Sequence, residues 1–319
     1  MKTVLGIAAY GSPPSVLDLV AKATSTEAEG LFDLVLIVDS HGDGSVQKYI
    51  ESAGLAPGVK YYDSEDNLGA AGNLAKRLRW AAEAGGDLLF AINADGYFDS
   101  AAVEKLLDHA RESDCGAVYP ARRLAHDCFE FTGTLRFPWR SVRRSENELP
   151  DEEPVRVFWS SSNGAVYSLQ PTVEGILPPV GLWHGWEDLA YGLLLERAGY
   201  RQGLLTSVRV ESRYEVRSVG GEARITGPYG YVSDKPAWLA YYTSRNLLLI
   251  ATRVVPRPVN VVAATARILI EILVTLMHRN RKSERLRYLI RGILDGLRGR
   301  QGMVVRPHRD RQISDLTSN

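Results

Sequence analysis

The chain of 319 residues is long enough for one large domain or two modest ones, and its 45% hydrophobic and 24% charged residues are ordinary for a globular protein. Two cysteines, Cys115 and Cys128, give no disulfide framework, which argues against a small secreted scaffold and fits a reducing cytosol. The formal net charge of zero conceals a division: residues 1–250 carry 24 Lys and Arg against 33 Asp and Glu, whereas residues 251–319 carry 14 against 5.

Met1-Lys2-Thr3-Val4-Leu5 runs straight into a strand-like segment with no cleavage signal, so a cytoplasmic location is expected. Strands are predicted at Val4–Ala9, Leu34–Val38, Val59–Tyr62, Leu88–Ile92 and Gly116–Tyr119. Between them, helical spacing covers Ser15–Ala28, Val46–Ala53, Ala70–Ala84 and Ala101–Ser113. Strands alternating with helices argue for a mostly parallel sheet covered on both faces. Residues 122–154, rich in arginine, acids and proline, read as a long irregular loop or flap. Further strands are expected at Val155–Trp159 and Ala165–Ser168, and a helix at Leu189–Ala198 that stops at Gly199.

From about Trp238 the pattern is helical. An apolar helix opens at Tyr241-Tyr242 and runs through Ala251. Val259–Met277 is strongly apolar, but Arg267 and Glu271 interrupt it, and a spanning segment needs about 18 or more apolar residues in a row. Ser283–Leu297 is a basic amphipathic helix, suited either to an anionic membrane surface or to packing on the protein's own body or a second copy. No interleaved aromatics or nucleic-acid motif accompany the basic residues, so nucleic acid is the poorer partner. The expected division is a domain over 1–230 and a basic helical region over 231–319.

Four polar clusters follow strands or open helices. The most informative is Asn93-Ala94-Asp95-Gly96, which ends the apolar run Leu88–Ile92. In an open α/β sheet, ligands bind beyond the carboxyl ends of strands. Asp95 there either holds a divalent cation on a diphosphate or caps the helix that follows. An earlier strand ends at Asp39, in Val38-Asp39-Ser40-His41-Gly42-Asp43-Gly44-Ser45, where the acid either accepts hydrogen bonds from a base or ribose or simply shapes a turn. Asp66-Asn67-Leu68-Gly69-Ala70-Ala71-Gly72-Asn73 offers small residues at a helix start, for close approach of a nucleotide or for close packing. Trp186-Glu187-Asp188 opens a later helix. Its paired acids beside Trp183 and Trp186 supply either a general base next to a sugar-stacking surface or acid at a helix N-terminus.

In this order the clusters resemble those of the inverting glycosyltransferases of family 2, which have the GT-A fold, a Rossmann-like sheet flanked by helices. Arg197-Ala198-Gly199-Tyr200 completes the resemblance. Tyr241-Tyr242-x-x-Arg245-Asn246 and Arg291-Gly292-x-x-Asp295-Gly296 are similar to the tail of the bacterial rhamnosyl- and galactofuranosyltransferase-like branch. The resemblance implies transfer of a sugar from a UDP- or dTDP-sugar to a glycan or lipid-linked acceptor in cell-surface polysaccharide synthesis. Ala9, Tyr10, Asp39, Asn67, Gly69, Gly72, Asn73, Asn93 and Ala94 would line the donor pocket, Asp39 meeting the nucleobase. Asp95 would bind Mn²⁺ or Mg²⁺, and either Glu187 or Asp188 would be the general base. The metal-binding His that related enzymes often carry after the Glu-Asp helix is missing here; Glu211 stands in that neighbourhood and would be the oxygen ligand to take its place. The other readings are a nucleotidyltransferase, disfavoured by the lack of Lys or Arg in Tyr10-Gly11-Ser12-Pro13-Pro14, and a non-catalytic binding scaffold. Peripheral contact with the inner membrane face or self-association is the expected role of the tail, and the sequence leaves the two open.

Overall fold

A computed structural model of the chain describes residues 1–11, 13–55, 58–64, 66–125, 128–131, 137, 139, 142–145, 154–210, 224–225, 231–232 and 236–306. Its first half alternates as expected: β1 Thr3–Ala9, α1 Pro13–Ala23, β2 Leu34–Asp39, α2 Ser45–Ser52, β3 Val59–Asp63, α3 Gly69–Glu83, β4 Leu88–Asn93 and α4 Ser100–Glu112. Helix α1 starts at Pro13, whose fixed φ suits a first helical position, and gives way after Ala23 to a short 3₁₀ turn, Thr26–Ala28, shorter than the predicted Ser15–Ala28 helix. After α4 come β5 Cys115–Ala125, β6 Cys128–Phe131, β7 Val142–Ser145, β8 Val155–Arg156, β9 Ala165–Ser168, α5 Gln170–Val173, α6 Glu187–Arg197 and β10 Arg201–Val210.

The sheet runs β3-β2-β1-β4-β9-β5-β10-β8. The β3–β2, β2–β1, β1–β4 and β5–β10 pairs are parallel, and β9 is inserted antiparallel between β4 and β5. Two-residue alternation sends Leu5 and Ile7 of β1 to one face, beneath α1, α2 and α4, and Val4 to the other, beneath α3 and α6. Each face thus has its own apolar layer, the arrangement a parallel sheet requires.

Two expectations for the middle of the chain are corrected. Part of the 122–154 flap is strand: β5 runs on to Ala125 and pairs with β6, which pairs with β7. The Val155–Trp159 strand shrinks to Val155–Arg156. In β5, Pro120 lies opposite Leu205, where the β10 register slips to Arg209, an irregularity that accommodates a residue lacking an N–H.

Three long helices follow, Leu239–Leu249, Pro258–His278 and Lys282–Arg298, the first continuing as a π-helical turn over Ile250–Val254. Leu189, Ala190 and Leu193 of α6 share an apolar cluster with Leu247–Ala251, Ala263, Ala264 and Ile268, so the helices pack directly on α6. Gly292 and Gly296, four apart, let helix 282–298 cross helix 239–249 closely. A Cβ on Gly292 would collide with Ser244 Oγ and Tyr241 O, and one on Gly296 would sit 3.0 Å from Arg245 O.

Candidate functional site

The crevice forms where the strand order turns back on itself at β1. Register places Ala9 beside Asp39, and Asn93 beside Ala8, so three neighbouring parallel strands end together. Tyr10 follows at the rim, exposed and edge-on to His41 at 5.2 Å between ring centres.

Asp39 is fully buried. Its Oδ1 accepts from the backbone N–H of Gly11 (3.2 Å) and of His41 (2.9 Å), and its Oδ2 from the Tyr61 hydroxyl (3.1 Å). The carboxylate thus holds both loops of the pocket wall. Burial, then the Asp39 charge, push the Tyr61 hydroxyl far above its usual pKa, so it stays a donor.

Asn73, on α3, donates to Val38 O (2.9 Å) and Ser40 Oγ (3.1 Å), tying α3 to the end of β2. At the start of α3, Asn67 Oδ1 accepts from the Gly69 N–H (2.9 Å). Gly69 has φ +63°, and a Cβ there would overlap the carbonyl oxygen and indole of Trp183. The Trp183 carbonyl accepts from the Ala71 N–H (3.1 Å), and its indole N–H donates to Asn67 O (3.1 Å). Gly69 is therefore required by the close approach of Trp183, the packing alternative for this cluster. Gly72 is buried, with only Leu68 of its own helix near its Cα hydrogens.

Asn93 and Ala94 lead into a tight turn, the Gly96 N–H donating to Asn93 O at 2.8 Å. Asn163, in the turn before β9, accepts from the Asn93 N–H through Oδ1 (3.0 Å), and a Cβ on Gly96 would press on that oxygen. The sequence reading passed over Asn163; an Asn-Gly turn just before a buried strand was the available signal. Asp95 is half-buried in the turn. The cap of α4 is Asp99, whose Oδ1 accepts from the Ala102 N–H at 3.0 Å, so capping is not what Asp95 does.

Glu187 and Asp188 form the first turn of α6, both half-buried. The Asp188 charge acts on fully buried Arg77, Tyr119 and Tyr167, which places its carboxylate toward the sheet. Glu187 sits one residue earlier, about 100° round the helix, and its Oε2, like Asp188 Oδ1, is buried. Arg77 donates to Gly6 O (3.0 Å) and Ile92 O (3.2 Å); burial lowers its guanidinium to about 10, opposed by the Tyr167 and Asp188 charges.

The loop before α6 is strained and clamped. Trp183 (φ 58°) and Trp186 (φ 67°) both lie at positive φ, costly for bulky residues unless neighbours fix them. Trp183 is 5% exposed and packs on Tyr242, 4.9 Å between ring centres. The expected sugar-stacking role of Trp183 is therefore corrected: its indole is consumed by the protein core. Trp186 lies beside Trp159 at 5.9 Å, with the Arg267 guanidinium 5.6 Å from its ring centre. From helix 239–249, Arg245 Nη2 donates to Leu182 O (2.7 Å), and Asn246 Nδ2 to Leu182 O, His184 O and Gly185 O (3.0, 2.9 and 2.7 Å). Sequence reading found Arg245 and Asn246 only as motif letters; the structure shows them gripping this loop.

Among the described residues, no three His, Cys, Asp or Glu side chains converge as a cation cage. The crevice offers the hard oxygen donor of Asp95. Mg²⁺ is commonly held by one or two carboxylates plus substrate phosphates, so this donor fits a cation completed by a diphosphate. Glu211 lies outside the described residues.

Residues 5–164 match the model of the family described as Glycosyl transferase family 2. No curated protein matches the chain. Among solved structures, residues 1–349 of S. aureus TarS superpose with a TM-score of 0.54 at 13% identity, covering 93% of this chain and 81% of that one. TarS in complex with UDP-GlcNAc gives 0.53 at 15% identity, with 94% and 82% covered. Mannosyltransferase PcManGT from Pyrobaculum calidifontis, in complex with GDP-Man and Mn²⁺, gives 0.53 at 13% identity, with 93% and 87% covered. These likenesses are to the GT-A fold.

Proposed function

The chain belongs to glycosyl transferase family 2, and from that membership we propose that it moves a sugar from a UDP- or dTDP-sugar to a hydroxyl of a glycan or lipid-linked acceptor, with inversion at the anomeric carbon. The observation that carries this reading is the crevice at the ends of β1, β2 and β4, walled by Asp39 and Asp95 and joined through Asn73, α3 and Trp183 to the Glu187–Asp188 helix start. Neighbours of the same fold bound to UDP-GlcNAc and to GDP-Man with Mn²⁺ lend support. A cytoplasmic place of work and a role in polysaccharide synthesis belong to the same proposal, as does a catalytic domain over 1–230.

In this account Ala9, Tyr10, Gly72 and Ala94 line the donor pocket, and the Asp39 network holds the wall that faces the nucleobase. Asn67, Gly69 and Asn73 fix the start of α3 at its floor, and Asn163 holds the Asn93 turn that presents Asp95. Asp95 would hold Mn²⁺ or Mg²⁺; when bound, the cation supplies positive charge to the leaving diphosphate. One carboxylate of the Glu187–Asp188 pair takes the acceptor proton as the acceptor oxygen bonds to the anomeric carbon. The bond from that carbon to the diphosphate oxygen breaks, and its electron pair leaves with the diphosphate. Inversion in a single displacement needs one base and no enzyme nucleophile.

The test is incubation with a panel of UDP- and dTDP-sugars and Mn²⁺, following nucleoside diphosphate release and the anomeric configuration of the product. Release with inversion supports the reading; no release or transfer with any donor overturns it in favour of a binding scaffold.

A further inference from the structure

The Pro258–His278 helix is arranged inside out for a helix facing water. Val259, Val262, Leu269, Leu273, Leu276 and Met277 are each 46–61% exposed and fall within one stripe about 100° wide. Its charged residues lie on the other side: Arg267 reaches the Trp186 ring, and Glu271 pairs with Arg279 at 3.5 Å with both side chains largely buried. Ala263, Ala264 and Ile268 bury that inner side in the core shared with α6. By length and mean hydropathy alone the helix matches a membrane-crossing one despite Arg267 and Glu271, but its inner face is already packed on protein, so lipid cannot surround it.

The next helix continues the theme. Ile290, Leu294 and Leu297 form a second exposed stripe, flanked on one side by Arg287, Arg291 and Arg298. Arg291, Arg298 and Arg300 all lie 3.7–4.0 Å from one carboxylate, that of Asp295, which also accepts from the Tyr241 hydroxyl. Between residues 279 and 300 the chain carries eight Arg and Lys against Glu284 and Asp295 alone. Exposed apolar stripes of this length call for a covering partner.

We propose that these two stripes are a docking face for an anionic phospholipid surface, lying on the bilayer and not spanning it. Charge decides between the two occupants such a face can have. Pairing with a second copy across a two-fold axis would set like charges against like, whereas headgroup phosphates complement the arginines while the leucines enter the acyl boundary. The inference does not depend on sugar transfer, and its readout needs no donor.

The test is flotation of the full chain with vesicles of phosphatidylcholine alone and of phosphatidylcholine with phosphatidylglycerol. Wild type should float with the anionic vesicles, less at high salt, and not with phosphatidylcholine. Leu273→Glu with Leu294→Glu should lower the bound fraction about tenfold or more, and Arg287→Ser with Arg298→Ser should lower it several-fold. All four positions are solvent-exposed, so thermal melting should be unchanged in both variants. Absence of flotation on anionic vesicles, or equal flotation of wild type and variants, overturns the proposal. A stable dimer that Leu273→Glu with Leu294→Glu dissociates, without vesicle binding, assigns the face to a second copy instead.

Discussion

The Asn246 side-chain amide donates to the Gly185 carbonyl at 2.7 Å, so a residue of the C-terminal helices fixes the peptide just ahead of the Glu187–Asp188 helix start. The same amide reaches His184 O and Leu182 O, and buried Arg245 adds a bond to Leu182 O. The two strained tryptophans of that loop are thereby held from behind. Asn246→Ala leaves these carbonyls to find other donors, which at about 1 kcal/mol per hydrogen bond should cost about 2–3 kcal/mol of stability. In the proposed mechanism turnover should fall more than donor affinity, because the loop leads directly into the helix start that carries the candidate base; urea melts and steady-state kinetics check both.

Gly69→Ala forces a Cβ onto the Trp183 carbonyl at a position with φ +63°. Strain and displacement of the loop should destabilise the protein by at least about 1–3 kcal/mol. Gly30→Ala has a φ of +79° but open space around it and should cost less. A thermal-melt comparison of the two variants separates overlap from backbone strain.

Asn163→Ala removes the acceptor of the Asn93 N–H and so loosens the turn that presents Asp95. KM for the nucleotide sugar should rise several-fold with little change in kcat, measured by nucleoside diphosphate release. A fall in kcat at unchanged KM would place Asn163 on the acceptor side instead.

Exchange of the acids is expected to divide them. Of Glu187→Gln and Asp188→Asn, the one that removes the base should lower kcat by about 10²–10⁴-fold while the donor still binds. The other should act chiefly on stability, and Asp188, whose charge reaches buried Arg77, is the acid the sheet feels. Donor titration and melting of both variants make the assignment.

Alkaline pH acts through the tyrosines. Burial raises Tyr119, Tyr167, Tyr191 and Tyr242, and pushes Tyr241 up to about 12, above the unfolded value near 10. The folded state then holds protons that the unfolded state releases, so their contribution is complete below pH 10 and is lost as pH rises toward 12. Arg77, lowered to about 10, works in the opposite sense: the unfolded state keeps its proton longer, which favours folding above pH 10. Burial lowers Arg245 in the same sense, but more tyrosines than arginines are shifted, so stability should decline above pH 10. Ultraviolet titration should show part of the 15 tyrosines ionising before unfolding and the remainder only with it.

The first four strands were legible because each is an apolar run ended by a turn, and the polar residues at their ends follow from the sheet alone. Strand β10, Arg201–Val210, was not read, since Arg201, Gln202, Ser207 and Arg209 break its apolar pattern and its partner β5 lies far back in the chain. At the site, Asp39 and Asp95 could be placed at strand ends, but the reason for Gly69 could not. Its constraint is a tryptophan 114 positions on, a contact no local pattern encodes. Trp183 failed in the same way: an indole beside paired acids suits a sugar, and only the packing of Tyr242 and the bond to Asn67 show that the protein itself uses it.

The most direct test of the central claim is the thermal stability of wild type and Asp95→Ala with UDP, dTDP and GDP, each with and without Mn²⁺. A ligand that binds only the folded state must raise its melting temperature. UDP or dTDP should stabilise wild type in a Mn²⁺-dependent manner, and Asp95→Ala, folded as before, should lose the Mn²⁺-dependent part. No shift with any nucleotide under either condition, or an undiminished Mn²⁺-dependent shift in Asp95→Ala, would contradict that claim.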